Sequence, residues 1–158
     1  MTAEDYTKDF DITSEVNPFA SMSHAMCHDY IIKKWRDMCY AQKDNPNSKW
    51  YNLPFGKPCR FIFVTHWHDG RTLYNEKIRE LANRWGGLVC EFDKNVGFNK
   101  NQTLPDGTQV SVLYAVDTQE IDGVTFGWHP LRNGPGEYIQ GRLARIFADT
   151  IKKFDSIY

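Results

Sequence analysis

The chain has 158 residues, 41% of them hydrophobic and 25% charged, a size and balance that suit a single globular domain spanning residues 1–158 with one core. Its formal net charge of −1, with no run of Lys or Arg longer than two residues, offers no electrostatic footprint for a phosphate backbone, so nucleic acid is not an expected partner. No apolar stretch reaches the about 18 residues of a membrane span, and the acidic start MTAEDYTKDFDITSE lacks the basic-then-apolar order of a secretory signal; no membrane partner is expected, and the default compartment is the cytoplasm unless a longer parent is exported.

Residues 1–20 read as an irregular segment. Ser21 or Ser23 then caps a helix predicted to run to about Gln42, with Ile31, Trp35 and Met38 on its apolar face and Ile32 and Cys39 beside it. The polar, Pro-containing stretch from Asp44 to Pro58 reads as a loop. It leads into CRFIFVT (59–65), a short run of β-formers suited to a buried central strand. In the next segment Tyr74, Ile78, Leu81, Ala82 and Trp85 fall on one helical face, and Gly86-Gly87 stop the helix. LVCEFD (88–93) follows as a second buried strand, completing a βαβ unit and hence a parallel pair.

Residues 96–109 are rich in Asn, Gly and Pro and read as a loop, and VSVLYAVD (110–117) has no clear period. Asp122-Gly123 is a two-residue hairpin signal, and counting outward pairs Ile121 with Val124, Gln119 with Phe126 and Asp117 with Trp128. Gly134-Pro135 opens a last helix with an apolar stripe of Ile139, Leu143, Ile146, Phe147, Ile151 and Phe154. The four cysteines, Cys27, Cys39, Cys59 and Cys90, form no CxxC pair and lie in apolar segments, which points to buried free thiols instead of a disulfide framework or a zinc knuckle. Five Trp and an aromatic content of 15% suit either a sugar- or acyl-binding platform or a ring-rich core.

FVTHWHDG (63–70) concentrates the candidate chemistry. One reading is a metal-dependent hydrolase using His66, His68 and Asp69, because THWHDG is similar to the T-H-x-H-x-D-H signature of metallo-β-lactamase-type hydrolases. The spacing departs from it: Asp69 follows His68 directly, and Gly70 and Arg71 stand where the closing His belongs, leaving an incomplete ligand shell. No metal and no cofactor is therefore expected. His24 and His28, four apart on one helix, do not repair the shell, since His28 continues toward Ile31 and Trp35. A second reading, a His-x-His nuclease with Tyr74 and Lys77, fails on the apolar setting of Tyr74 and the neutral charge.

The order of segments carries a third reading. FVT, then LYNEKIRELANRWGG, then LVCEFD, a long loop, an Asp, and WHPLRNGPGEYIQGRLARIF (128–147) together resemble the C-terminal part of the SGNH/GDSL hydrolases over about residues 22–154. The resemblance implies a three-layer α/β/α sandwich with a mostly parallel sheet, here missing its N-terminal strands. It implies an esterase or deacylase acting on an acylated carbohydrate or small ester. His129 matches the family's catalytic His, and Asp117, returned by the hairpin, takes the place of the Asp that orients it, since the residue three before His129 is Phe126. His66, Trp67, His68 and Trp128 are then the substrate-binding candidates at the carboxyl edge of the strands. The family's Gly-Asp-Ser and Gly-x-Asn-Asp blocks are not present in this sequence, so the nucleophile and oxyanion donors have no match. The competing class is a non-catalytic carbohydrate- or protein-binding module on the same fold. If the chain is a fragment, an exposed sheet edge would favour self-association.

Overall fold

A computed structural model describes residues 24–156. The expected caps Ser21 and Ser23 and the irregular segment 1–20 lie outside the described residues. The chain forms α1 (His24–Tyr40), a 3₁₀ turn (Ala41–Asp44), β1 (Ile62–Val64), α2 (Thr72–Trp85), β2 (Leu88–Cys90), α3 (Phe92–Asn95), α4 (Val110–Leu113), β3 (Thr118–Ile121), β4 (Val124–Gly127) and α5 (Pro135–Ser156). It is thus a mixed α/β chain.

The expected βαβ unit is present. β1 and β2 pair in parallel, with Phe63 opposite Val89 and Val64 opposite Cys90, and α2 crosses between them. α2 ends where the sequence places its stop: Gly86 adopts the left-handed conformation at φ +66 and its N–H reaches the Ala82 carbonyl. Phe63 packs with Ile78, Leu81 and Ala82 of α2 and with Ile32 of α1, forming one core cluster. Side chains alternate along a strand, so Cys90 leaves the other face from Val89, and there it is buried with its thiol at Thr150 of α5.

Both strands are shorter than 59–65 and 88–93. Only three residues of each pair, because beyond Cys90 the chain turns into α3, where Arg79 of α2 holds Glu91 through Nε at 2.9 Å and both oxygens of the nearly buried Asp93 at 2.6 and 2.7 Å. Arg79 thus draws two acidic residues out of strand direction and onto α2. Among the described residues the parallel sheet has two strands, and the second sheet is the β3–β4 hairpin.

The buried face of α1 is turned from the one expected, onto the side where Ile32 and Cys39 were placed. Ile31, Trp35 and Met38 are exposed, and the buried face is Ala25, Asp29, Ile32 and Cys39. A carboxylate belongs on that face because Asp29 is fully enclosed by partners: Trp85 Nε1 donates to its Oδ1 at 2.9 Å, Arg84 stands 3.3 Å from the same oxygen, and Lys33 stands 2.8 Å from Oδ2. The stripe on α5 is covered in part: Leu143 and Ile146 are half-buried. Ile139 is buried in a second cluster with Trp67 and Val96, while Phe147 and Ile151 are exposed; Phe154 is outside the described side chains.

Candidate functional site

The hairpin forms in the expected register, Ile121 opposite Val124 and Gln119 opposite Phe126. Asp122 at φ +52 and Gly123 at φ +77 make the turn, both in the left-handed region that a two-residue hairpin turn demands. Pairing continues past the strands: the Trp128 N–H donates to the Asp117 carbonyl and the Val116 N–H to the His129 carbonyl, each at 2.8 Å. This ladder brings Asp117 beside His129. The carboxylate accepts the His129 backbone N–H at 2.9 Å, and His129 Nδ1 lies 3.0 Å from Oδ1 and 2.8 Å from Oδ2. Since a carboxylate only accepts, Nδ1 carries the proton and Nε2 keeps the lone pair. The hydrogen bond from His129 holds the Asp117 carboxyl below its usual range.

The loop after β1 is built from polar clamps. Thr65 Oγ1 donates to the Cys90 carbonyl at 3.3 Å and accepts the Asp93 N–H at 3.2 Å. Asn75, buried in the first turn of α2, accepts the His66 N–H at 2.8 Å and donates to the His68 carbonyl at 3.2 Å. His68 is 2% exposed. Its Nε2 lies 2.7 Å from the Gly127 carbonyl and must donate, while Nδ1 accepts the Gly70 N–H at 3.1 Å. Burial pushes its pKa down to about 4, against the pull of the Gly127 hydrogen bond. A neutral imidazole with both nitrogens engaged by backbone has none left for a metal or a ligand. His68 is therefore a brace between the loop and β4, not the pocket-lining residue expected from sequence. Trp67 is likewise core: it is 5% exposed, packs on Val96 and Ile139, and donates from Nε1 to the Trp128 carbonyl at 2.9 Å.

His66 and Trp128, both half-buried, stand beside the exposed His129. The His66 ring stands 5.9 Å from that of Trp128, which meets the His129 ring edge-on at 5.3 Å. Burial first, then the neighbouring His68 and Arg71, push His66 down to about 3, so this histidine is also neutral. The Arg71 guanidinium lies over the Trp128 ring, 3.8 Å from its centroid, and donates to Gln119 Oε1 at 2.5 Å. Three residues of this assembly escaped the sequence reading. Asn75 could have been found as a polar residue beside the apolar stripe of α2; Arg71 and Gln119, 48 positions apart, had no such signal. Asp69 lines a neighbouring groove of about 380 Å³ with Asp93, Phe98 and Asn99 at the carboxyl ends of β1 and β2. Among the described residues, no three of the His, Cys, Asp and Glu side chains converge as a metal site, and no helix is long and apolar enough to cross a membrane.

Chemically, the arrangement offers a directed imidazole with an open Nε2, a guanidinium over an indole ring, and two neutral histidines behind them. Among the described residues no Ser, Thr or Cys hydrogen-bonds to His129. Ser111 is buried and accepts the Gly127 N–H at 3.0 Å, and Ser48 accepts the Trp50 N–H. No curated protein and no solved structure matches the chain. Over residues 2–155 it matches the family model described as Domain of unknown function (DUF5040), and the chain belongs to that family.

Proposed function

We propose that the chain is an SGNH-like hydrolase domain, an esterase or deacylase for an acylated carbohydrate or similar small ester. The observation that carries this reading is the Asp117–His129 pair, with Nδ1 of the imidazole held at 2.8 and 3.0 Å by one carboxylate and Nε2 left open. In such a site Nε2 takes the proton of the attacking hydroxyl, and Asp117 stabilises the imidazolium that forms. His66 and Trp128 would line the acyl or sugar pocket beside it. The serine is the missing part, so activity depends on a Gly-Asp-Ser block that this sequence does not contain. The reading carries with it the wider three-layer α/β/α sandwich, of which β1, β2, α2 and α5 would be one part, and self-association through the open sheet edge. Sedimentation velocity across a concentration series tests the latter; a monomer throughout removes it.

For the catalytic claim, release of p-nitrophenol from p-nitrophenyl acetate and of acetate from an acetylated xylo-oligosaccharide is compared for the wild type and His129→Ala. Turnover that appears when a segment bearing the Gly-Asp-Ser block is joined to the chain, and that His129→Ala abolishes, is the expected result. A joined chain no faster than buffer ends the enzyme reading. The second reading, a carbohydrate-binding module, rests on the Arg71–Trp128 stack beside His129, a flat apolar ring edged by hydrogen-bonding groups. Calorimetric titration with the deacetylated oligosaccharide checks it, with Trp128→Ala as the variant that should lose binding.

A further inference from the structure

We propose that Cys39 and Cys59 are a dithiol pair that closes into an intramolecular disulfide, a clasp between the end of α1 and the segment entering β1. Three features of the backbone and side chains bring the two together. The Lys57 N–H donates to the Cys39 carbonyl at 3.0 Å. Gly56, at φ +60, runs so close to α1 that a Cβ there would stand 2.8 Å from the Cys39 carbonyl oxygen and overlap that of Tyr40. The Cys39 thiol is near enough to Cys59 to raise the Cys59 pKa, after burial, which does the most. Cys27 and Cys90 have no comparable partner sulfur among the described residues, so the pairing is specific.

The segment that the clasp would close, from Ala41 to Pro58, carries exposed Tyr51, Leu53 and Phe55 and forms a groove of about 370 Å³ with Trp35 and Met38 of α1. Cys39 lies in the wall of that groove. In the reduced protein the segment returns to α1 through the backbone bond at Lys57, and it is folded on itself by one from Asn52 to the Lys43 carbonyl, 2.9 Å long. A covalent link would fix it there and restrict the unfolded chain as well.

The oxidant is a small disulfide such as glutathione disulfide. Cys59, the more accessible thiol, attacks as thiolate and expels one glutathione thiolate, giving a mixed disulfide; Cys39 then attacks the Cys59 sulfur and expels the second. The two protein protons leave with the two glutathione thiolates, so two protein S–H bonds become one S–S bond and one glutathione disulfide becomes two thiols. Burial and the Cys39 contact push the Cys59 thiol up to about 11, despite the charges of Arg36 and Lys57 that favour its thiolate. The exchange is therefore slow near neutrality, and the test is run at pH 8.5 for hours.

The full chain is incubated with glutathione disulfide, alkylated, and analysed by intact mass and by unreduced peptide mapping. The expected result is a mass loss of two hydrogens, one linked peptide pair containing Cys39 and Cys59, and a melting temperature raised by several degrees that dithiothreitol reverses. Cys59→Ser should abolish all three changes. Four alkylatable thiols after oxidation, separate glutathione adducts on Cys39 and Cys59, or a linked pair involving Cys27 or Cys90 would each overturn the proposal. Peptide mapping of the wild type decides the matter even if Cys59→Ser folds poorly.

Discussion

Asp117 converts an exposed imidazole into a directed one. Without it, nothing among the described residues chooses which nitrogen of His129 bears the proton; with it, the two carboxylate contacts assign the proton to Nδ1. Asp117→Asn keeps the side chain's size but removes the charge that would stabilise the imidazolium. If the esterase reading holds, kcat should fall about 100-fold or more with KM changed by less than about threefold, the pattern of an interaction made in the transition state. An unchanged kcat would remove Asp117 from the mechanism. Because the Asp117 carboxyl is held below its usual range, the pair persists into mildly acidic solution and is lost only as pH falls through the lowered value. At this scale the sequence was readable where pairing could be counted outward from Asp122-Gly123, which put Asp117 beside Trp128 and so within reach of His129. It was not readable for Trp67 and His68. A ring at a strand end looks the same in sequence whether it opens to ligand or bonds to a carbonyl sixty residues away, as Trp67 and His68 do with Trp128 and Gly127.

Elements meet at Gly127, and the contact decides whether the site is assembled. The end of β4 lies directly on α4: a Cβ at Gly127 would overlap the Ser111 carbonyl and stand 2.6 Å from the Ala115 side chain. The same residue accepts from His68 and donates to Ser111 Oγ, so β4, α4 and the loop after β1 share one backbone position. Gly127→Ala should force these elements apart and destabilise by about 2–3 kcal/mol, as overpacking does. The shift in urea midpoint measures it, and the His68 ring proton resonances should move at the same time. A variant as stable as the wild type would mean that the hairpin docks with slack. Patterning predicted the face and the end of α2, because five apolar side chains on one face and a Gly-Gly stop agree with each other. It missed the length of the strands, since Glu91 and Asp93 are withdrawn by Arg79, and it centred the buried face of α1 on Ile31, Trp35 and Met38, because hydrophobicity cannot foresee that Asp29 will be enclosed by Trp85, Arg84 and Lys33.

Whole-molecule stability should respond to acid through two histidines that burial keeps neutral, His66 and His68. The α/β class and the parallel pair followed from one βαβ pattern, but the extent of the sheet did not, because strand count depends on partners that local pattern does not name. Acid response is different in kind, as it follows from burial alone. His68 is neutral in the folded chain down to about pH 4 and His66 to about pH 3, whereas both protonate near 6.5 once unfolded. Between those values the unfolded chain binds more protons, so stability is full above about pH 6.5 and falls as pH drops toward 4. For the 2%-exposed His68 the loss is roughly 3 kcal/mol, a large share of the 5–15 kcal/mol that typical domains possess. At pH 5, about 1.5 units below the unfolded value, about 2 kcal/mol of this is already lost, and urea midpoints at pH 7.5 and pH 5 should differ by that much. His68→Gln retains an N–H donor for the Gly127 carbonyl and cannot titrate, so its midpoint should be lower at pH 7.5 yet decline less between the two pH values. Equal declines in wild type and variant would place the acid sensitivity in the carboxylates and leave His68 as a brace whose protonation does not matter.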